Sequence, residues 1–315
     1  MAAVKVNIDN FVRAETARMF DANLELIGGM NRWFHFRAPT PIDKQPVIRM
    51  NRDTLYSGAL VDIRKGASVT LPDPGGRYMT MMVVNEDHYI NRVIREPGTH
   101  ELAVEEFDTP FVLLSTRLFV DSADPDDIAK VNALQDAMTL EVASAGPYEH
   151  PEYDEESLKA THAAVAELGK GLGTTARQFG NKDDTDVVRH LVGTAIGWGG
   201  LPEAEATYFI ETEPRPAGRF RMTFKDVPVD GFWSVTIYNR EGFLEENPYG
   251  SYSINNVTAI ADEDGSVTLN LAPDGEGLTN HLYIMDGWNY AIRLYWPRQS
   301  ILDGTWSPPK PQPTG

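Results

Sequence analysis

Two arginines lie inside otherwise apolar segments of the chain. Arg117 falls within residues 112–120 and Arg293 within residues 290–296, and both segments read as β-strands. A lone buried guanidinium is costly, so each arginine must meet a carboxylate or an anionic ligand. The sequence leaves two interpretations open: a structural salt bridge, or a planar fork that binds a carboxylate or phosphate group through paired hydrogen bonds.

A run of polar residues, 51–56, comes just before a strand-like segment and adds possible chemistry. Asp53 in this run could cap a turn or pair with Arg117, or it could act as a general base in a buried site. Among the seven histidines, His88 is the most suggestive because it follows Glu86 and Asp87. A loop or surface histidine is the alternative interpretation of His88.

The candidate site residues form two groups. Asp53, His88 and Tyr238 are the candidates for catalysis. The candidates for ligand binding are Asn51, Arg52, Tyr56, Arg117, Asn247, Tyr252, Arg293 and Tyr295.

Several classes of protein are excluded or disfavoured by composition. The absence of cysteine excludes disulfides, thiolate metal sites and cysteine nucleophiles. The histidines lack the spacing of a zinc site, and no phosphate-loop, dinucleotide or nucleophile-elbow motif appears, so we expect no metal and no cofactor. A formal charge of -18 argues against nucleic acid and anionic membranes as partners. Without an apolar signal core or an 18-residue apolar run, a cytoplasmic location is expected.

The segment 230–256 is the part of the chain best suited to position the candidate site residues. Trp233, Val235 and Ile237 alternate with serine, threonine and aromatic residues, which predicts a strand with two distinct faces. A turn at residues 239–242, a polar loop and a returning strand at 251–254 follow. A strand, a polar loop and a second strand can form one wall of a site.

The remaining pattern predicts a mainly β protein with a helical middle. An amphipathic helix is expected at residues 8–30, and short strands follow to residue 120. Helices are expected at 124–142, 154–168 and 185–196, and strands again from residue 207, including one at 257–260. We therefore expect two antiparallel β-sandwich, jelly-roll-like domains plus an N-terminal helix, with the first domain at 1–123, a helical connector at 124–200 and the second domain at 201–315.

A weak internal repeat connects the two halves. Residues 78–85 (YMTMMVVN) and 232–239 (FWSVTIYN) align without a gap, with aromatic, hydroxyl and asparagine positions in common. The two interpretations are a pair of related β-domains and a chance similarity between amphipathic strands.

The chain resembles a bacterial tandem family whose two domains of unknown function are numbered 1254 and 1214. Residues 51–57, 76–78 and Arg117 with Asp121 and Asp124 resemble the first domain. Residues 231–238, 252–254, 293–297 and 302–306, with Asn247, resemble the second. The resemblance implies two mainly antiparallel β-sandwich domains joined by helices, and it implies no reaction.

These observations lead to a hypothesis of a small-molecule site between the two β-domains. The first version is an enzyme that acts on a carboxylated or polyhydroxylated metabolite, and the second is a binder without catalysis. A homo-oligomer whose aromatic residues form the interface is the alternative from another class. Because acids follow Arg117 closely in sequence, we expect Arg117 to anchor the fold and Arg293 to face the ligand.

Overall fold

The chain is mainly β, as its short alternating segments predict. The computed structural model describes residues 3–314, and within this range it contains sixteen strands and six helices. By internal contacts the chain divides into two units. The first runs to Arg37 and adds Leu55–Phe119 and Ala129–Glu203. The second contains Ala38–Thr54, Val120–Ile128 and the chain from Ala204 onward, so it takes residues 38–54 from a part of the chain that the sequence analysis assigned to the first domain.

Two sheets account for the first eight strands. A five-stranded sheet has the order β1-β2-β7-β4-β5, and a three-stranded sheet has the order β6-β3-β8. The strand bounds are β1 (Phe34–His35), β2 (Thr54–Asp62), β3 (Ala67–Leu71), β4 (Met79–Asn85), β5 (Ile90–Ile94), β6 (Gly98–Leu102), β7 (Phe111–Phe119) and β8 (Thr139–Val142).

Helices α1, α4 and α5 pack on one another through a shared apolar core that includes Phe11, Leu158 and Val192. Asp154 and Asp186 cap the first turns of α4 and α5 by accepting backbone N–H bonds. The helix bounds are α1 (Phe11–Ile27), α2 (Val104–Phe107), α3 (Pro125–Asp136), α4 (Glu155–Leu168), α5 (Val187–Gly197) and α6 (Gln299–Leu302).

Two helices of the structure are shorter than the sequence predicts. The expected helix at 8–30 ends at Ile27, because Gly28 takes a left-handed conformation with φ 77° and closes the last turn. The expected helix at 124–142 ends at Asp136, and residues 139–142 form β8 instead. Pairing of β8 with β3, through partners such as Thr70 and Thr139, overrides the local helical pattern.

The second unit contains a sandwich of two four-stranded sheets, in the orders β14-β13-β10-β16 and β12-β11-β15-β9. Residues of both sheets, among them Leu269, Val235 and Ile292, form one apolar core. The strand bounds are β9 (Ala206–Arg215), β10 (Phe220–Phe224), β11 (Trp233–Tyr238), β12 (Ser253–Asn255), β13 (Val267–Ala272), β14 (His281–Tyr283), β15 (Trp288–Tyr295) and β16 (Gln312–Pro313).

One predicted strand of this unit, at residues 257–260, is absent. Oδ1 of Asn255 accepts hydrogen bonds from the backbone N–H groups of Val257 and Thr258, at 3.0 and 2.9 Å. These bonds fold the segment into a turn in place of a strand.

The two units repeat one topology. The neighbours β2-β7-β4-β5 in the first unit correspond in chain order to β9-β15-β11-β12 in the second, and β6-β3-β8 corresponds to β13-β10-β16. The sequence repeat falls on the corresponding strands β4 and β11. Thr80, which aligns with Ser234, pairs with Arg117, and Ser234 pairs with Arg293. The shared topology and register support two related β-domains over chance similarity.

The core of the second unit gives a direct test of this architecture. Leu269 is fully buried between the two sheets, whereas Ile260 is two-thirds exposed. We expect Leu269→Ala to lower the free energy of unfolding by about 2–5 kcal/mol, because it leaves a cavity in packed apolar surroundings. The matched control Ile260→Ala should change it by less than about 0.5 kcal/mol. Equal effects in urea denaturation would contradict the assigned core.

Candidate functional site

The candidate site lies on one face of the sheet that contains β11 and β15. Trp233, Val235 and Ile237 point into the sandwich core, as the alternation predicts. The opposite face carries the hydroxyls of Thr236 and Tyr238, and both residues are fully buried. Residues from the segment 38–54 supply the partners that cover this face, as the following contacts show.

Arg293 is the buried charge of this face. Its Nη1 donates to Oγ1 of Thr236 at 2.8 Å, and its Nη2 donates to the backbone oxygen of Arg49 at 2.9 Å and to Oη of Tyr238 at 2.7 Å. Burial by itself lowers the pKa of Arg293, but the neighbouring Tyr238, Tyr295 and Asp53 outweigh burial and raise the pKa. Arg293 is therefore charged and held by neutral oxygen atoms.

Tyr238 connects the strand to the covering segment. Its hydroxyl accepts the bond from Arg293 and donates one to the backbone oxygen of Met50 at 2.9 Å. The single phenolic proton is thus used within the protein. This arrangement favours a positioning role for Tyr238, and its role as a catalytic residue stays a prediction.

Asp53 places a buried carboxylate near Arg293. Its Oδ1 accepts a 2.8 Å bond from Oγ of Ser253 and a long contact of 3.5 Å from Nδ2 of Asn255. Its backbone N–H donates to Oδ1 of Asn51 at 2.9 Å. Oδ2 is buried and has no hydrogen-bond partner among residues 3–314. One oxygen of the carboxylate is therefore fixed, and the other retains its capacity to accept.

Asn51 joins the covering segment to β15. Its Nδ2 donates to Oη of Tyr295 at 2.9 Å and to Oγ1 of Thr54 at 3.1 Å. The ring of Tyr295 stacks on Phe232, with 4.2 Å between ring centroids. Three of the predicted ligand-binding residues, Asn51, Arg293 and Tyr295, thus meet around Asp53.

Two further arginines of the covering segment lie half-buried: Arg49 is next to Tyr238 and Arg293, and Arg52 is within electrostatic reach of Asp53. Arg49 donates from Nη1 to Oδ1 of Asn289 at 2.9 Å and lies over the ring of Tyr238. Arg52 donates from Nη1 to the backbone oxygen of Thr40 at 2.6 Å. Burial lowers the pKa of both guanidinium groups, and the charge of Arg293 lowers that of Arg49 further. Neither side chain therefore has full compensation for its lost hydration.

We refer to Arg49, Arg52, Asp53, Tyr238 and Arg293 as the Arg293 cluster. It contains three guanidinium groups and one carboxylate. In the part of the chain that the structure describes, none of these four charged groups forms an ion pair within 4.0 Å. The cluster is locally cationic in a chain whose acids outnumber its bases by 46 to 28.

Two predicted ligand-binding residues lie at the margin of the cluster or beyond it. The ring of Tyr252 lies under the guanidinium of Arg52, 5.3 Å from centroid to Cζ. Asn247 instead holds its own loop: its side chain bonds to backbone groups of Glu245, Tyr249 and Ser251. The contacts of Asn247 favour a structural role, and ligand binding by this residue stays a prediction.

Tyr56 and Arg117 belong to the first unit. Arg117 is largely buried, lies 5.6 Å from the ring centroid of Tyr56 and donates from Nη2 to the backbone oxygen of Gly199 at 3.0 Å. Their participation in ligand binding, and the predicted location of the site between the β-domains, stay predictions.

His88, the third catalytic candidate, is also in the first unit and is fully buried. Its Nε2 accepts the backbone N–H of Gly199 at 2.9 Å, so the neutral ring carries its proton on Nδ1. That proton is donated to Oγ1 of Thr194 at 2.8 Å. Burial and the neighbouring His190 hold the pKa of His88 well below its ordinary value. These contacts favour a structural role for His88, and catalysis stays a prediction.

The described residues were also compared with the requirements of a metal site and of a membrane-spanning helix. Within residues 3–314, no three histidine, aspartate or glutamate side chains are grouped so that they could hold a metal ion. None of the helices in this range is long and apolar enough to cross a bilayer.

Comparison with known proteins identifies the two halves. Residues 30–91 match the family described as protein of unknown function DUF1254, and residues 211–299 match protein of unknown function DUF1214. The chain thus matches the models of both domains of the tandem family. Asp53 of the Arg293 cluster comes from the DUF1254 region and Arg293 from the DUF1214 region. Among curated proteins, none matches this chain.

Two solved structures share the fold of this chain. The crystal structure of the VPA0106 protein from Vibrio parahaemolyticus has a TM-score of 0.78 and 19% identity, and the match covers 98% of each chain. An uncharacterised protein from Burkholderia cenocepacia has a TM-score of 0.50 and 15% identity, over 96% of this chain and 85% of its own. At these identities the likeness shows the fold alone.

Sequence reasoning missed four residues that contact the cluster or belong to it. Thr236 and Ser253 had a signal, since both lie in the alternating strands of segment 230–256. Arg49 had no signal of comparable strength because it lies in a loop, and Asn255 ends β12 one residue beyond the predicted returning strand at 251–254. The four residues are Arg49, Thr236, Ser253 and Asn255.

Arg293 was expected to face a ligand, but its hydrogen bonds go to atoms of the protein. We therefore expect Arg293 to contribute to stability. Arg293→Ala leaves three buried oxygen atoms without their donor, so we expect a loss of about 3 kcal/mol in the free energy of unfolding. The matched control is Arg298→Ala, which breaks an exposed ion pair with Asp230 and should cost less than about 1 kcal/mol. Equal, small effects in urea denaturation would restore the ligand-facing assignment of Arg293.

The lowered pKa of His88 predicts a pH dependence of stability. The unfolded chain takes up a proton at His88 as the pH falls below about 6.5, whereas the folded chain does not. Stability is therefore complete above that pH and decreases below it, by up to about 1.4 kcal/mol per pH unit, until the lowered folded pKa is reached. Between pH 7.5 and 5.5, His88→Gln should show a shallower loss than the wild type. The control His100→Gln should follow the wild type, and parallel slopes for all three proteins would contradict the prediction.

Proposed function

We propose that the Arg293 cluster binds a small hydroxylated carboxylate. The observation that carries the proposal is the combination of three guanidinium groups with one carboxylate and no ion pair among the described residues. Protein guanidinium groups removed from water are ordinarily compensated by a carboxylate or by a bound anion. An anionic ligand would supply that compensation.

The half-buried arginines are the groups suited to contact the anion. Arg293 already donates three hydrogen bonds to protein oxygen atoms, so it would attract the anion by its positive charge without contacting it directly. Arg52 retains donors, and its Nε is buried without a hydrogen-bond partner in the described part of the chain. Arg49 and Arg52 are thus the forks that would bind the ligand carboxylate.

Asp53 adds the requirement for a hydroxyl group. Its buried Oδ2 accepts no hydrogen bond from residues 3–314, and an unpartnered buried acceptor is unfavourable. A ligand hydroxyl can donate to this oxygen, whereas a ligand carboxylate would be repelled by it. The ligand would therefore direct its carboxylate to the arginines and a hydroxyl to Asp53.

Acid–base catalysis is a second candidate function, favoured by the asymmetry of Asp53. Ser253 fixes Oδ1, which leaves Oδ2 as the atom that could remove a proton from a bound hydroxyl. Binding without turnover and binding with proton removal use the same contacts. Turnover of a bound hydroxy acid that is lost in Asp53→Asn would distinguish the second candidate from the first.

Three six-carbon probes test the proposed ligand class. Gluconate has both functional groups, glucitol lacks the carboxylate and hexanoate lacks the hydroxyls. We expect gluconate to raise the melting temperature more than either of the other two, because ligand binding to the folded state stabilises it by mass action. Arg52→Met should weaken gluconate binding about tenfold or more, since it removes a charge-assisted contact.

Asp53→Asn should reduce the advantage of gluconate over hexanoate and leave the carboxylate contact in place. The control Arg221→Met removes an exposed arginine that donates from Nε to Oδ1 of Asn270, and this variant should bind gluconate as the wild type does. The proposal fails if gluconate binds no better than glucitol and hexanoate, or if Arg52→Met and Arg221→Met have the same effect.

A further inference from the structure

Two hydroxyl groups connect the guanidinium of Arg293 to the carboxylate of Asp53. Nη1 of Arg293 donates to Oγ1 of Thr236 at 2.8 Å. Oγ1 of Thr236 donates to Oγ of Ser253 at 3.2 Å, and Oγ of Ser253 donates to Oδ1 of Asp53 at 2.8 Å. Three successive hydrogen bonds therefore run from β15 through β11 and β12 to the segment 38–54.

The direction of these three bonds is set at both ends. A guanidinium can only donate, so Oγ1 of Thr236 accepts from Arg293 and keeps its own proton for Ser253. An ionised carboxylate can only accept, so Ser253 uses its proton on Asp53. Each hydroxyl group is therefore an acceptor for one neighbour and a donor to the next.

Strand pairing places the two hydroxyl groups next to each other. Thr236 of β11 lies directly opposite Ser253 of β12 in an antiparallel pair, in which opposite Cβ atoms are about 4.5–5.5 Å apart. On its other side Thr236 lies opposite Ala291 of β15, so Arg293, two residues further on the same face, reaches Thr236 diagonally. Thr236 is fully buried and Ser253 is half-buried.

These bonds determine which oxygen of Asp53 is left for a ligand. The χ2 torsion of aspartate is broad and roughly two-fold, so a carboxylate without an anchor can rotate. Ser253 holds Oδ1, and Asn255 makes a longer contact of 3.5 Å with the same atom. Because Arg293 polarises the hydroxyl groups of Thr236 and Ser253, the bond to Oδ1 is stronger than that of an isolated hydroxyl group. Oδ2 is thereby kept as the oxygen that can accept from a ligand.

We propose that Thr236 and Ser253 give the Arg293 cluster its selectivity for a ligand hydroxyl group. This inference rests on the function proposed above, in which Oδ2 of Asp53 accepts from the ligand. Ser253 anchors Asp53 directly and Thr236 acts through Ser253, so both are positioning residues. Without the anchor the carboxylate of Asp53 rotates and loses its bond to the ligand hydroxyl group, whereas the contact of the ligand carboxylate with the half-buried arginines remains.

The test measures the ratio of the dissociation constants of hexanoate and gluconate by isothermal titration calorimetry. We expect Ser253→Ala to lower this ratio about tenfold and to leave hexanoate affinity within about twofold, because only the anchor of the carboxylate is lost. Thr236→Val should lower the ratio about threefold, since it removes only the bond that polarises Ser253. Thr236→Ser retains a hydroxyl group and should keep the ratio within about twofold of the wild type.

Two further variants separate positioning from a general loss of stability. Because Thr236 acts through Ser253, the double variant Thr236→Val/Ser253→Ala should have the same ratio as Ser253→Ala alone. The matched control is Thr268→Val, which breaks a similar series of bonds across β10 and β13. Oγ1 of Thr268 contacts Oγ1 of Thr223 at 3.1 Å and donates to Oδ2 of Asp262 at 2.7 Å. This control should leave the ratio unchanged.

The outcomes distinguish this inference from the proposed function. If the wild type binds gluconate no more tightly than hexanoate, the proposed function fails and this inference fails with it. If the wild type prefers gluconate and Ser253→Ala keeps that preference, only this inference is overturned. Additive effects of Thr236→Val and Ser253→Ala, or an equal effect of Thr268→Val, would also overturn it. Ser253→Ala leaves the bonds of Arg293 in place, so it decides the question even if Thr236→Val does not fold.

Discussion

The second unit depends on a buried guanidinium that is held by neutral oxygen atoms. Arg293 lies on β15, and its three hydrogen bonds connect that strand to β11 and to the backbone of Arg49. Water is excluded from this position, so each of these bonds must form for the charge to be tolerated. These bonds hold the hydroxyl of Tyr238 and the backbone of Arg49 in place against the sheet.

The duplicated topology places the same residue type at the corresponding position of the first unit. Arg117 pairs across the sheet with Thr80 as Arg293 pairs with Ser234, and each arginine also donates to a backbone oxygen and lies near a tyrosine ring. The coverings differ: Gly199 follows α5 in one case, and Arg49 belongs to an extended loop in the other. One strand framework has thus been combined with two different segments that satisfy the same buried charge.

The sequence predicted the elements whose signal is local. The alternation in residues 232–238 gave both the strand and its two faces, and aspartates predicted the starts of α3 and α4. The predictions were wrong where pairing with a distant strand decides the structure, as at β8. They were also wrong where one side chain folds the backbone into a turn, as at Asn255.

Some residues in and around the Arg293 cluster were singled out from the sequence for a related reason, and their role in binding stays a prediction. Asp53, Tyr238, Arg293 and Tyr295 were recognisable because polar groups in strand-like surroundings are conspicuous. Arg49 was not recognisable, because the sequence of a loop does not indicate which face of a sheet the loop will cover. The expected division of roles between Arg117 and Arg293 relied on acids nearby in sequence, whereas Arg293 is held by hydroxyl and carbonyl oxygens that no count of acids reveals.

The position of residues 38–54 has a consequence for how the protein is made. Arg49 and Arg293, which share a hydrogen bond within the second unit, are 244 residues apart in the chain. During synthesis the loop leaves the ribosome long before its sheet exists, and it must wait until β15 is complete. Contacts of such long sequence separation form slowly, because the intervening chain must be closed into a loop first. A fragment that begins at Ala204 would have every strand of the sandwich and yet lack the backbone oxygen of Arg49 that accepts from Arg293, so we expect this fragment to be less stable than the same strands in the whole chain.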